Sequence, residues 1–140
     1  MQVTEGQRNV VHKGYRVREP GFTQLWIWRE SHELMLIFHG ILNKLPSSEF
    51  RLTDQSKRSS SSVPDNIAEA YGSFYYKDKL KSFYVARKEA RETQNHLKSV
   101  CSKNYINKEQ EIELISRYEG VIIGINNFVK YVIRKQKNEN

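Results

Sequence analysis

Between Gln24 and Leu45, the apolar residues Leu34, Ile37, Phe38, Ile41, Leu42 and Leu45 fall at helical spacing and predict a first helix. Pro46, with Ser47 and Ser48 behind it, ends that helix, because proline cannot continue the hydrogen-bond ladder. Two later stretches repeat the pattern more regularly. Phe83, Ala86, Ala90, Thr93, Leu97 and Val100 alternate steps of three and four, a seam that faces a partner helix. Ile115, Tyr118, Ile122, Ile125, Val129 and Val132 do the same in the last helix. Asn107 and Gln110 offer that helix a cap, and Glu109, Glu111 and Glu113 occupy its favourable first turns. Its far end carries Lys130, Arg134, Lys135 and Lys137, again matching the helix dipole. Two long helices joined by a short connection must run antiparallel, so a bundle follows.

The segment Ser56-Lys57-Arg58-Ser59-Ser60-Ser61-Ser62-Val63-Pro64 divides the readings. By composition it is a flexible linker, since serine is a modest helix former and proline a breaker. Yet Thr53 is a candidate cap, and Val63, Ile67 and Ala70 continue on one face past the proline. Small serines would let a neighbouring helix approach closely, and their hydroxyls can bond carbonyls freed by Pro64. From the residues alone both readings stand. Residues 1–22, with Gly6, Gly14, Pro20 and Gly21 among charges and no sustained period, read as a mobile basic arm. The bundle is expected over 23–136 and a disordered tail over 137–140.

The chain has 140 residues, enough to bury one core. Hydrophobic residues at 38% and charged residues at 28% mark a globular composition. The net charge of +7 favours polyanions as partners over acidic small molecules. Cys101 stands alone, which excludes an internal disulfide, fits a reducing compartment and falls short of a structural zinc site. Without a signal-like or membrane-spanning apolar run, a soluble cytoplasmic protein is predicted.

Charge concentrates in the third helix. Lys77, Lys79, Lys81, Arg87, Lys88, Arg91, Lys98 and Lys103 face only Asp78, Glu89 and Glu92 between residues 77 and 103. Arg87, Arg91 and Lys98 recur at four and seven, on one face away from the seam. Such a stripe suits phosphates, as does the C-terminal cluster of Arg134, Lys135 and Lys137; a solvated helix face would look the same. Tyr75, Tyr76 and Tyr84 interleave with these residues, and half-burial at a helix interface is favoured over base stacking. No helix-turn-helix, zinc-finger or RNP signature is present, so any binding should be to the backbone and salt-sensitive.

Other motifs carry less. Gln55, Arg58, Ser62 and Glu69 recur at three, four and seven on the second segment. With Asn66 and with Glu89 and Glu92 of the third helix, they form a candidate buried network or oligomer contact. Arg58 would pair with Glu69 of a neighbouring copy or with Glu89 and Glu92. His32-Glu33 lacks the second histidine of a metalloprotease helix, since Leu36 stands there and His39 lies two turns on. No metal or other cofactor is predicted. The serine run has no glycine elbow and no evident base. Gly120 and Gly124 read as a close-packing face for helix packing or oligomerisation.

Several runs together resemble one family. Trp26-Ile27-Trp28-Arg29-Glu30-Ser31-His32-Glu33-Leu34 is similar to the Trp-x-x-Ala-His-Glu-Leu opening of the 23S rRNA-intervening-sequence, or four-helix-bundle, proteins. The likeness continues through Leu45-Pro46 and Leu52-Thr53-Asp54-Gln55-Ser56-Lys57-Arg58. It is most specific at Ser62-Val63-Pro64-Asp65-Asn66-Ile67-Ala68-Glu69-Ala70-Tyr71-Gly72, and returns at Lys88-Glu89-Ala90-Arg91-Glu92-Thr93. Ala70 departs from the glycine usual after the Ala-Glu pair. The resemblance covers about residues 24–133. It implies an all-α, antiparallel up-down four-helix bundle, with the second helix kinked at Pro64, and so decides the linker question.

For function the resemblance implies less. Family members were noticed as reading frames inside rRNA insertions. A related branch serves diversity-generating retroelements as a basic pentamer that binds nucleic acid and a reverse transcriptase. The expectation is therefore a bacterial, non-enzymatic, homo-oligomeric accessory protein, with a pentamer favoured. It would bind RNA or DNA without sequence preference through the basic residues of the third and last helices. The rival expectation is a protein-binding scaffold whose charge only keeps it soluble.

Overall fold

The computed structural model describes residues 9–139. Four helices form the body: α1 (Trp26–Leu42), α2 (Phe50–Gly72), α3 (Tyr76–Ser102) and α4 (Lys108–Glu139). Each packs against the next, and α1 also packs against α4, which closes an antiparallel bundle. The predicted seams are its core. All six seam residues of α3 are buried, as are Tyr118, Ile122, Ile125, Val129 and Val132 of α4. They meet Leu34, Phe38 and Leu42 from α1 and Val63, Ile67 and Ala70 from α2.

The serine-rich segment lies wholly inside α2, which runs continuously through Pro64. Thr53 is not its cap: the helix begins at Phe50, after a 3-10 turn at Ser47–Glu49, so Thr53 is already its fourth residue. Ser56, Ser59 and Ser60 are buried where the neighbouring helices approach. Ser60 Oγ donates to the Ser56 carbonyl at 2.7 Å, and Thr93 Oγ1 of α3 lies 2.9 Å from Ser59 Oγ. The short hydroxyls of Ser59 and Ser60 find partners locally, that of Ser56 does not, and all three leave room for close helix packing.

The ends of the helices are chemically specified. Asn107 Oδ1 accepts the Gln110 backbone N–H at 2.9 Å, and Gln110 Oε1 accepts that of Asn107 at 3.0 Å, the reciprocal cap the sequence predicts for α4. At the end of α3, Asn104 takes a left-handed conformation with φ 66°. Its N–H bonds the Cys101 carbonyl while the Tyr105 N–H reaches back to Val100, a Schellman closure. Lys79 Nζ supplies the end of α2, donating to the carbonyls of Ala70 and Tyr71 at 3.1 and 3.2 Å.

At both termini the structure shows elements that the sequence pattern did not predict. Within the segment read as a mobile basic arm, β1 (Asn9–His12) and β2 (Tyr15–Arg18) pair antiparallel, and a 3-10 turn follows at Gly21–Gln24. Lys13 and Gly14 turn the hairpin with φ of 48° and 80°, the left-handed pair that a two-residue turn demands. At the other end α4 continues through Glu139, so residues 137–139 of the expected tail are helical. The arm's residues 1–8 and the tail's residue 140 lie outside the described residues.

Candidate functional site

The basic residues of α3 separate into two groups. One group is already occupied. Arg87 Nη1 donates to Asn126 Oδ1 at 2.8 Å, and Arg91 Nη1 donates to Glu119 Oε1, also at 2.8 Å. Lys98 Nζ bonds Glu111 Oε1 at 3.0 Å, and Lys103 Nζ bonds Glu49 Oε1 at 2.8 Å. Lys79 closes α2, as above. The Arg87-Arg91-Lys98 stripe predicted as a phosphate-binding face is thus turned toward α4, where it ties two helices together.

The second group is free. Lys77, Lys81 and Lys88 are exposed and make no ion pair among the described residues. With Tyr84 they fall at steps of four, three and four, which places all four on one face of α3. They line a groove of about 810 Å³ together with Asp78, Leu80, Val85 and Gln136. Gln136 belongs to the last turns of α4, because antiparallel packing sets the end of α4 beside the start of α3. Arg134, Lys135 and Lys137 stand on those same turns, exposed and likewise without an ion pair among the described residues. Two clusters far apart in sequence therefore meet at one end of the bundle.

The aromatic residues here differ from the half-buried reading. Tyr76 is half-buried, but Tyr75 is 67% exposed and Tyr84 41%. The Arg87 guanidinium carbon lies 4.9 Å from the centroid of the Tyr84 ring and fixes one side of it. Phe74, beside Tyr75 in an edge-on pair with centroids 5.1 Å apart, is 86% exposed. Lys135 Nζ sits 5.9 Å over the ring of Tyr131.

The candidate polar network does not come together as one buried cluster. Gln55, Arg58, Glu89 and Glu92 line a small cleft with Ser59 and His96, whereas Asn66 and Glu69 line another with Ser73, Asp78, Lys81 and Ser82. Within the chain Arg58 pairs with Asp54 one turn before it, at 2.9 Å, and forms no ion pair with Glu89 or Glu92. Asn66 Nδ2 donates to the Ser62 carbonyl at 2.8 Å. Of the six, only Asn66 and Glu89 are even half-buried. Burial, and then the nearby Glu92 carboxylate, raises the Glu89 pKa.

Two histidines reach the serine run from either side. Ser59 Oγ lies 3.0 Å from His96 Nδ1 of α3, and Ser60 Oγ lies 3.1 Å from His39 Nε2 of α1. Burial lowers the pKa of both rings. Sequence spacing held no sign of these contacts, which come from three different helices. Ser59 and Ser60 are buried in the middle of a helix, so the contacts fill a helix interface. His32 stacks on Trp28 at 4.6 Å, a core-edge position. No cluster of three potential metal ligands occurs among the described residues, and no described helix is long and apolar enough to cross a membrane.

A family model described as 23S rRNA-intervening sequence protein matches residues 23–127. The chain belongs to that family. The matched region holds α1, α2, α3 and most of α4, and with them the Lys77-Lys81-Tyr84-Lys88 face; Arg134, Lys135 and Lys137 lie beyond it. The bundle also resembles the crystal structure of a protein of unknown function from the S23 ribosomal protein family of Bacteroides thetaiotaomicron VPI-5482. That likeness has a TM-score of 0.67 at 24% identity and covers 74% of this chain and 95% of the other. At that identity it speaks to the fold alone. A comparison with curated proteins finds no match.

Proposed function

We propose that the chain is a non-enzymatic accessory protein that binds RNA or DNA through the phosphate backbone, without sequence preference. The observation that carries this reading is the Lys77-Lys81-Lys88 face of α3, three exposed cations that form no ion pair among the described residues, with Asp78 the one carboxylate lining their groove. A cation already paired with a carboxylate gains little from a phosphate, whereas a free one releases condensed counterions when it binds. Arg134, Lys135 and Lys137 extend the positive surface at the same end. The protein acts in the cytoplasm as a homo-oligomer, a pentamer by the resemblance to the retroelement branch. A reverse transcriptase is the protein partner to which that branch points. Repeating the lysine face around a ring would multiply its field.

The rival scaffold reading also has an observation behind it. Ile112 and Ile123, both 55% exposed, lie three turns apart on one face of α4, as a contact between copies would require. The two readings separate in one experiment. Charge reversal of Lys77, Lys81 and Lys88 to Glu should abolish the binding of labelled RNA while light scattering reports an unchanged mass. Undiminished binding after the reversal would remove this face as the binding site, and no binding by the wild type at low salt would leave only the scaffold. Arg91→Glu and Lys98→Glu are poor probes of binding, because they break α3–α4 contacts.

A further inference from the structure

We infer that the nucleic acid held on this face is single-stranded, with unpaired bases stacked on Tyr84 and on the Phe74–Tyr75 pair. The inference rests on the phosphate-binding reading above and adds the class of ligand.

Charge alone does not distinguish a strand from a duplex, since both offer phosphates. Aromatic exposure does. In a duplex the faces of the bases are stacked inside, out of reach of a side chain lying on the backbone. An unpaired base offers its face freely, and stacking on an aromatic ring is tolerant of sequence. Tyr84 stands between Lys81 and Lys88 on the same helix face, so a backbone that follows the lysines passes directly over the ring. Arg87 covers one side of that ring and is itself held by Asn126. The platform is therefore fixed before any ligand arrives, which lowers the ordering cost of binding.

Phe74 and Tyr75 occupy the turn just before α3, at the Lys77 end of the face. Their exposure, 86% and 67%, leaves large apolar surfaces in water that no described part of the chain covers. From Tyr76, next to the first aromatic station, to Tyr84 the helix rises about 12 Å, room for a nucleotide or two between the stations. A lysine-lined groove with one aromatic ring in it, and a second exposed aromatic pair just before the helix that carries it, combines the two elements of non-specific single-strand binding.

The test uses the full chain and four probes: a short oligouridine, a duplex RNA of the same length, the same duplex with a single-stranded overhang, and inorganic polyphosphate. Affinities are compared at one salt concentration by competition. The oligouridine and the overhang should bind more tightly than the blunt duplex or polyphosphate. Tyr84→Ala should weaken oligouridine binding by roughly 5- to 100-fold and leave the duplex and polyphosphate unchanged. Tyr84→Phe should retain oligouridine binding, and the double change Phe74→Ala, Tyr75→Ala should weaken it further. These side chains are exposed, and circular dichroism of each variant checks that the helices persist. Equal affinity for all four probes, unmoved by Tyr84→Ala, would overturn the single-strand inference and leave the charge reading standing. Failure of every polyanion to bind at low salt would overturn both.

Discussion

Glu111 illustrates how a charged side chain can be fixed inside this bundle. Its side chain is only 3% exposed, yet it meets Lys108 Nζ at 2.7 Å and Lys98 Nζ at 3.0 Å. Hydrogen bonds from Lys108, Lys98 and the Cys101 thiol hold the carboxyl down to about 2, against an ordinary 4.5. A carboxyl whose pKa is depressed by folding stabilises the fold fully above its unfolded pKa. That contribution fades as pH falls from about 4.5 toward 2. Glu111→Gln should therefore lower the urea midpoint at neutral pH and flatten its decline across that window. An unchanged pH profile would show that the carboxylate is not held as described. At this scale the sequence was a partial guide. It marked Lys98 as basic and Glu111 as a first-turn acid, but it could not reveal that the two meet. Pairs such as Arg91–Glu119 and Arg117–Glu30 depend on how α4 is rotated against its neighbours, which local spacing leaves open.

Among the elements, α2 and α4 show how small residues set helix spacing. The serines of α2 admit α1 and α3, and the glycines of α4 admit the start of α1. A Cβ placed on Gly124 would run into Ile27 Cγ2, a buried side chain, whereas one on Gly120 would sit in ordinary contact with Trp26 at 3.5 Å. Alanine is intrinsically better than glycine in a helix by about 1 kcal/mol. Gly120→Ala should accordingly stabilise the protein by up to about 1 kcal/mol. Gly124→Ala should destabilise it, since overpacking typically costs about 1–3 kcal/mol. Thermal unfolding of the two variants checks the contrast, and similar shifts in both would contradict the packing described. This close-packing face was legible as Gly120 and Gly124 flanking an apolar run, and its use within the chain is now clear. The α3 and α4 seams were legible because their periodicity is strong, and the α4 cap because both of its side chains are local. The N-terminal hairpin was also written locally, in Lys13-Gly14 between valine- and tyrosine-bearing flanks. Its strands are short enough that the dense charges obscured their alternation.

For the whole molecule, topology decides which charges are available. Antiparallel packing aligns α3 with α4 along their lengths, so carboxylates and amides of α4 engage Arg87, Arg91 and Lys98. Beyond the helix pair's shared contacts, Lys77, Lys81 and Lys88 face out, and the basic end of α4 arrives beside them. The sequence therefore displayed the excess of positive charge but not its division into structural and free cations. That division is the basis of the proposed binding face. Its most direct test is the salt dependence of oligouridine binding for the wild type and for a variant with Lys77, Lys81 and Lys88 all changed to Ala. Each phosphate contact with a single strand contributes about −0.7 to the slope of log affinity against log salt. Loss of the three lysines should thus flatten the slope by about 2. An identical slope in the two proteins would mean that these lysines touch no phosphate and that the face is not the binding site.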